Sequence, residues 1–475
     1  MKYDLVIVGT GFASSFFLKR YLERFPAKRI LVLELGSKLT HRWRVENRPE
    51  DDYSGVVSDK DYRKLINNHT PEKPWVYTPG FGGGSNCWWA VSPRLLPNDF
   101  KIKTLYGVGQ DWPISYEELE PYYCDAEDIM QIAGPSEHTP FPRSRSYPQP
   151  PHNFTSVDKL IKQHYPNEFY NAPCARPSLG TPNRPKCCAT GVCNLCPIDS
   201  KFTVLNELSH IYQHPSVTLQ TNSQVISLDH SNGVVSKAIY LDEQDKQHEV
   251  EADLFMLGAN PLFNSHILLG SNIDNANIGK GLAEHVGLGV EVNLVNQPNL
   301  DGGTALTGHG YFLYDGEHRK DRAACIVETF NTPHIRLERG KYTHRLGMKF
   351  VFEELYAPES KVSLSSNIRI PDVHYAGHTQ YLHNGVDHIK NNFEQYFGFL
   401  PIEDYEFTEI LPAEGHILGT HLMGNNPSDS VVNKHGFVHG MKNLLVLGAG
   451  SFSAMSPANP SLTVSAVALK CASEL

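Results

Sequence analysis

Residues 3–35 read YDLVIVGTGFASSFFLKRYLERFPAKRILVLEL, and no other stretch constrains the fold of the chain as tightly. Tyr3 to Val8 is a short apolar run rich in β-formers. Gly9-Thr10-Gly11-Phe12-Ala13-Ser14 follows, and Phe17, Leu18, Tyr21, Leu22 and Phe25 then recur on one helical face. Arg29 to Leu33 supplies a second strand that stops at Glu34. In a Rossmann unit the first glycine makes the tight turn and the second lets backbone N–H groups approach a pyrophosphate at the helix start. An acid about 20 residues on accepts hydrogen bonds from the ribose hydroxyls. Gly9 and Gly11 fill the first two places, Phe12 and Ala13 open the helix, and Glu34 is the acid. Ser14 stands where a third glycine is usual and is small enough for close packing of helix on strand. Alone, the glycines would also fit an ordinary turn; with strand, helix and acid in place they favour a dinucleotide. Glu34 disfavours a 2'-phosphate, which leaves FAD or NAD ahead of NADP.

A chain of 475 residues exceeds what one hydrophobic core normally organises, so two domains or one with large insertions are expected. The formal net charge of -10 and the lack of any basic run argue against nucleic acid or an acidic membrane surface as partner. No apolar stretch reaches the roughly 18 residues that a membrane helix needs. MKYD leads directly into the first strand without a secretory leader, so a cytoplasmic chain is expected. The cysteine count, 9, is odd, which disfavours a disulfide framework.

The far end repeats the opening theme. Residues 416–463 read HILGTHLMGNNPSDSVVNKHGFVHGMKNLLVLGAGSFSAMSPANPSLT. A strand over 443–447 ends in Gly448-Ala449-Gly450, and Asn459-Pro460 opens a last helix, with Asn459 as its cap and Pro460 in its first turn. The pattern His416, Gly419-Thr420, Met423-Gly424, small-residue turn and Asn459-Pro460 resembles the C-terminus of glucose-methanol-choline (GMC) flavoprotein oxidoreductases. GFGGGSNCWWAVSPRLLPNDF (80–100) is similar to the glycine-rich flavin loop of that family. VTLQTNSQVISL (217–228) resembles the strand whose valine, here Val225, meets the adenine end of FAD, and LFMLGANPLFNSHILLGS (254–271) a second flavin-contacting strand.

The resemblance implies an α/β fold with a discontinuous Rossmann-like FAD-binding domain built from 1–95, 195–290 and 405–475. A second, α+β substrate domain on an antiparallel sheet, with a cysteine-rich loop, takes 96–194 and 291–404. It places FAD against Gly9, Gly11, Phe12, Ala13, Ser14, Glu34, Gly83, Gly84, Ser85, Trp89, Val225, Ala259, Gly448, Ala449, Pro460 and Ser461. Some sugar-oxidising relatives link flavin covalently to a histidine, and Trp88 occupies that place here, so non-covalent FAD is expected. Core packing is the competing reading of Trp88 and Trp89. The motifs stand nearest to pyranose oxidases and bacterial FAD-dependent sugar dehydrogenases, which implies a sugar, polyol or related alcohol as substrate.

Oxidising an alcohol requires a base for the hydroxyl proton and a hydride acceptor, the latter flavin N5. Histidine suits the base role because its pKa lies near neutrality. The resemblance assigns it to His416, with Asn459 orienting the hydroxyl; His421, His435 and His439 read as structural, and Glu353-Glu354 as a solvated strand-end pair. An NAD-linked dehydrogenase and a non-catalytic or electron-relay flavin subunit are the alternatives.

CCATGVCNLCPIDSK (187–201) concentrates thiols. Adjacent Cys187 and Cys188 cannot easily both face one zinc ion. Cys187, Cys193 and Cys196, the last followed by Pro197, look like an iron-sulfur run. They are similar to the cysteine region of GMC sugar dehydrogenases that pass electrons to a [3Fe-4S] cluster, with a shorter last interval; unliganded thiols are the other reading. A cluster would imply an electron-transfer subunit or cytochrome as partner, and a periplasmic location reached by export with that subunit.

Overall fold

The computed structural model describes residues 2–49, 55–135, 139–331 and 335–475. Its 7-stranded sheet is mixed. Val217–Gln220, Ile30–Leu33, Tyr3–Val8, Gln247–Leu257 and Leu444–Val446 run parallel. Val234–Leu241 and Gln224–Ser231 extend the sheet antiparallel from the long Gln247–Leu257 strand. Tyr3–Val8 is central, and Leu5, Val6 and Ile7 are all fully buried. Such a run without alternation is what a strand covered on both faces requires. The Phe12–Arg24 helix packs on the Ser461–Ser473 helix, which in turn meets Tyr116–Met130. Every residue from Leu462 to Ala472 is buried, so this last helix is covered on all its faces rather than on one stripe.

A 6-stranded antiparallel sheet is ordered Ile402–Ile410, Val286–Leu294, Arg345–Phe352, Cys325–Phe330, Leu306–Gly310, Phe169–Asn171. Ile402–Ile410 runs through residue 405, where the sequence suggested that a segment of the other unit begins. Alternation decides what each face of this sheet does. Val290, Val292, Met348 and Phe350 pack against Tyr381, Leu382, Val386, Ile389, Phe393 and Phe397 of the Gln380–Phe397 helix. These helix positions form a stripe at 3.6-residue spacing. The opposite face carries Glu291, Glu328, Phe330 and Lys349 and looks towards the first sheet.

A small third sheet joins Lys361–Ser363, Asp372–His374 and Asn67–Asn68. Val362 is buried there, while Leu364 lies beyond the strand end and is exposed. Among the described residues no helix is long and apolar enough to cross a membrane.

Glu353 and Glu354 are not the solvated pair that the sequence suggested: both are buried. Glu353 pairs with the buried Arg319 through Nε at 3.1 Å and Nη2 at 2.5 Å, and accepts the Tyr381 hydroxyl at 2.8 Å. Arg319 Nη1 also reaches Asp99 at 2.9 Å, whose other oxygen accepts from Tyr314 at 2.8 Å. Burial raises the Asp99 pKa to about 6, against the pull of Arg319. The guanidinium therefore holds two buried carboxylates together, from segments more than 200 residues apart in sequence. Arg319→Ala leaves both without their cation and is expected to cost about 3–5 kcal/mol, read as a lowered urea midpoint and melting temperature.

Candidate functional site

A cavity of about 720 Å³ lies between the carboxyl ends of the parallel strands and the polar face of the antiparallel sheet. On the parallel side it is lined by Gly9, Gly11, Phe12, Ala13, Glu34, Gly83, Gly84, Trp88, Trp89, Val225, Ala259, Gly448, Ala449, Asn459, Pro460 and Ser461. On the antiparallel side its wall includes Glu291, Glu328, Phe330, Lys349, Thr408, Glu414 and His416. Ser14 and Ser85 stand behind the wall. Ser14 is fully buried beneath Gly258 and donates to Val8 O at 3.3 Å. Ser85 donates to Gly82 O at 2.6 Å and accepts from Val204 N at 3.1 Å.

The local sequence explains the parallel side. Gly9 has φ +91°, and a Cβ there would lie 2.6 Å from Gly258 O, so the turn and the strand contact both exclude a side chain. At Gly11, Gly84 and Gly448 an added Cβ would meet nothing within 4 Å, since these backbones border the open cavity. The Phe12–Arg24 and Ser461–Ser473 helices both begin at this wall without a side-chain cap, so their first N–H groups are available to an anionic group. Glu34 is buried, accepting from Thr10 Oγ1 at 2.7 Å, Gly36 N at 3.0 Å and Gly80 N at 3.1 Å. Burial raises its pKa against those hydrogen bonds. Glycine-walled space, two uncapped helix starts and a buried acid beside the first turn fit a dinucleotide. Trp88 lines the cavity while its Nε1 donates to Phe202 O at 2.8 Å and its ring meets Phe12 edge-on at 4.7 Å.

His416 and Asn459, 43 positions apart in sequence, line this same cavity, and His416 Nδ1 and Asn459 Oδ1 are buried atoms without a hydrogen-bond partner. Asn459 was expected to cap the last helix, but its side chain makes no cap bond. Pro460, already helical at φ −81° and ψ −20°, supplies the first helical carbonyl to Val464 N. His416 precedes the short Ile417–Leu418 strand, which pairs with Ala283–Glu284. Glu284 Oε1 accepts from the backbone N–H of Glu414 and of His416, each at 3.0 Å, and its other oxygen pairs with Lys73. His285 stands perpendicular to His416 with ring centroids 5.0 Å apart, its Nε2 at Ser456 O. Burial holds the His416 pKa well below the ordinary range; His285 and Lys349 add to the shift and Glu328 opposes it. His416 is therefore a neutral imidazole at physiological pH.

Sequence reading missed the charged floor. Register places Glu328 beside both His309 and Lys349 on neighbouring strands. Lys349 Nζ lies 3.4 Å from Glu328 and 2.7 Å from Glu414. Burial would raise the Glu328 pKa, but Lys349 and His309 outweigh it and hold the carboxyl at about 2. The only available signal was a charged residue at the centre of each apolar strand, in CIVETF and RLGMKFVF.

Of the neighbouring histidines, His421 is fully buried, His435 pairs with Glu474 at 2.8 Å and His439 with Ser430 at 2.9 Å. The cysteine segment lies outside the cavity wall. Cys193 and Cys196 are buried, Cys187 is half-buried and Cys188 is exposed. Among the described residues, donor atoms of Cys187, Cys193 and Cys196 do not all fall within 4.8 Å of one another, so no single ion is cradled by the three. The buried Arg176 acts electrostatically on Cys187 and Cys193, and its Nε and Nη2 have no partner.

Residues 378–468, which include His416 and Asn459, match the GMC oxidoreductase family. The chain is similar to the fructose dehydrogenase large subunit of Gluconobacter japonicus, at 26% identity over 99% of this chain and 97% of that one. It is also similar to the 2-methyl-1,2-propanediol dehydrogenase of Mycolicibacterium austroafricanum, at 26% identity over 98% and 94%. The fold matches the crystal structure of pyridoxine 4-oxidase from Mesorbium loti with a TM-score of 0.67 and 17% identity, over 100% of this chain and 99% of that one. The mixed α/β architecture and the strand-glycine-helix units at both ends of the chain agree with these matches: residues 378–468 match the GMC oxidoreductase family, and the chain is similar over nearly its whole length to the two dehydrogenases.

Proposed function

We propose that this protein is an FAD-dependent dehydrogenase or oxidase that oxidises a CH–OH group of a sugar, polyol or related alcohol, with FAD held non-covalently. The observation that carries the reading is the pair of unpartnered atoms, His416 Nδ1 and Asn459 Oδ1, lining one cavity. Buried polar atoms without partners are rare in folded proteins unless a ligand supplies them. FAD, when bound along the glycine-lined side, supplies the two-electron acceptor for the hydride. The neutral His416 ring takes the hydroxyl proton, and the Asn459 carboxamide fixes the orientation of that hydroxyl. As the proton arrives, Glu328 offsets the new positive charge that His285 and Lys349 oppose. The uncapped start of the Ser461–Ser473 helix favours negative charge on the reduced cofactor. Trp88, hydrogen-bonded to Phe202 O, offers no imidazole for a covalent link. The charged Glu328–Lys349 floor suits a substrate with several hydroxyls, and the names of the fructose and propanediol dehydrogenases support that class.

A second reading adds an electron relay. Arg176, buried beside Cys187 and Cys193 with two unpartnered nitrogens, suits an anionic group held by thiolates. In this reading Cys187, Cys193 and Cys196 hold a [3Fe-4S] cluster and a partner subunit receives the electrons, as the words "large subunit" in the name of the fructose dehydrogenase relative suggest. Iron analysis of the purified protein tests it: one cluster's iron per flavin supports the relay, and flavin-active protein without iron removes it.

The main reading predicts a yellow protein whose flavin is freed by acid precipitation and bleaches when sugars or polyols are added without oxygen. A colourless protein would instead point to an NAD-linked enzyme. His416→Ala is expected to slow flavin reduction by about 10²–10⁴-fold while FAD stays bound; an unchanged rate would remove His416 from the base role. Because the base is active when neutral and its pKa is lowered by burial, kcat/KM should stay level as pH falls through 6.5 and decline only below it. An acidic limb centred at or above 6.5 in a pH–rate profile would contradict this assignment.

A further inference from the structure

Away from the cavity, the small third sheet assembles a set of donors that the oxidation does not use. Asp372–His374 pairs in parallel with Asn67–Asn68, in the register Asp372↔Asn67 and Val373↔Asn68, and His69 N donates to Val373 O at 2.9 Å. Val373 is fully buried, so Asp372 and His374 project from the opposite face of their strand. His69 Nε2 lies 3.3 Å from Asp372 Oδ1. The His69 and His374 rings are stacked with centroids 4.3 Å apart and an interplanar angle of 8°. Asn67 Nδ2 donates to Asp372 Oδ1 at 2.9 Å and fixes the carboxylate beside the rings. One donor atom from each of His69, Asp372 and His374 falls within 4.8 Å of the others, and theirs is the one such group among the described residues.

We propose that His69, Asp372 and His374 form a binding site for a zinc-class divalent transition-metal ion, with water completing the coordination. Two imidazoles and one carboxylate are the donors such ions prefer over calcium or magnesium, which favour all-oxygen shells. The stacked rings must rotate about their side-chain bonds to turn their in-plane lone pairs onto one ion, and solvent has access because His69 is about half exposed. The carboxylate offsets half of the ion's charge, and Asn67 gives it the supporting hydrogen bond that ligating carboxylates usually have. Lys361, opposite His374 on the adjoining strand, is a cation facing the site, and it is exposed to solvent.

The ion would act as a clip. Asn67 and Asp372 are 305 residues apart, and the segment after His69 runs on to Val76, Tyr77, Thr78, Pro79 and Gly80 of the cavity wall. A metal bridging the two strands ties that wall to the sheet behind it without entering the chemistry.

The test uses chelator-stripped, flavin-loaded full-length protein titrated with zinc chloride, with bound zinc counted after gel filtration and melting temperature recorded. Wild type should hold one equivalent that His69→Ala and His374→Ala each lose, with affinity weakened by about tenfold or more, and Asp372→Asn should weaken it as well. Zinc should raise the wild-type melting temperature by on the order of 2 °C, and not that of the two histidine variants. His435→Ala, at an exposed histidine elsewhere, should bind as wild type does. If an alanine variant fails to fold, His69→Gln and His374→Gln take its place in the same titration. A wild type that binds no zinc at 100 µM, or variants that keep the full equivalent, would overturn the proposal; in the second case the ion sits elsewhere, the cysteine segment included.

Discussion

The carboxyl ends of three parallel strands, Tyr3–Val8, Gln247–Leu257 and Leu444–Val446, lie side by side, and between the first two the backbones meet so closely that a side chain is excluded. Gly258 N donates to Val8 O, and Leu447 N to Leu257 O, each at 2.9 Å, so the ladder continues to the edge of the cavity. A Cβ on Gly9 would strike Gly258 O, and one on Gly258 would lie 2.2 Å from Ser14 Oγ. Because the backbones touch there, both uncapped helices start at one wall. The opening turn and the Ala449–Ser461 segment, far apart in sequence, then face the same space. Without that contact the chain would have two separate glycine turns and no common site.

The antiparallel sheet closes the other side by a different logic. Alternation gives its helix-facing side to Val290, Val292, Met348 and Phe350, and leaves every second position to the cavity. Glycines at 289 and 347 keep the floor low, while Glu328 and Lys349 rise from it as a paired charge. The parallel side thus supplies backbone N–H groups, and the antiparallel side supplies side chains. The two sides can therefore vary independently across this cavity.

Much of this was legible in the sequence where the information is local. Strand, turn and helix at residues 3–24 are written in a run of β-formers, glycines and a helical stripe, and their bounds in the structure differ little from the expected ones. His416 and Asn459 could be singled out because short motifs surround them. What could not be read depends on register between distant strands. The Glu328–Lys349 pair exists because Cys325–Phe330 aligns with Arg345–Phe352 at one register and not the next. Glu353 looked solvated because its partner, Arg319, is 34 residues away and comes from a one-turn helix that no periodicity announces. Asn459 looked like a cap because its residue type suits one; Pro460 takes that position instead and leaves the carboxamide free.

The mooring of residue 416 has a wider consequence. The two-residue strand that follows it is too short to hold an imidazole steady by ladder bonds alone, and the anchorage comes from Glu284, which accepts from the N–H groups of residues 414 and 416 while Lys73 grips Glu284. The aim of that ring is thus delegated to an ammonium group contributed by a quite different part of the polypeptide. Drift at position 73 would displace that ring while leaving every lining side chain untouched, so the sequence space open to this cavity is bounded also by residues outside its wall.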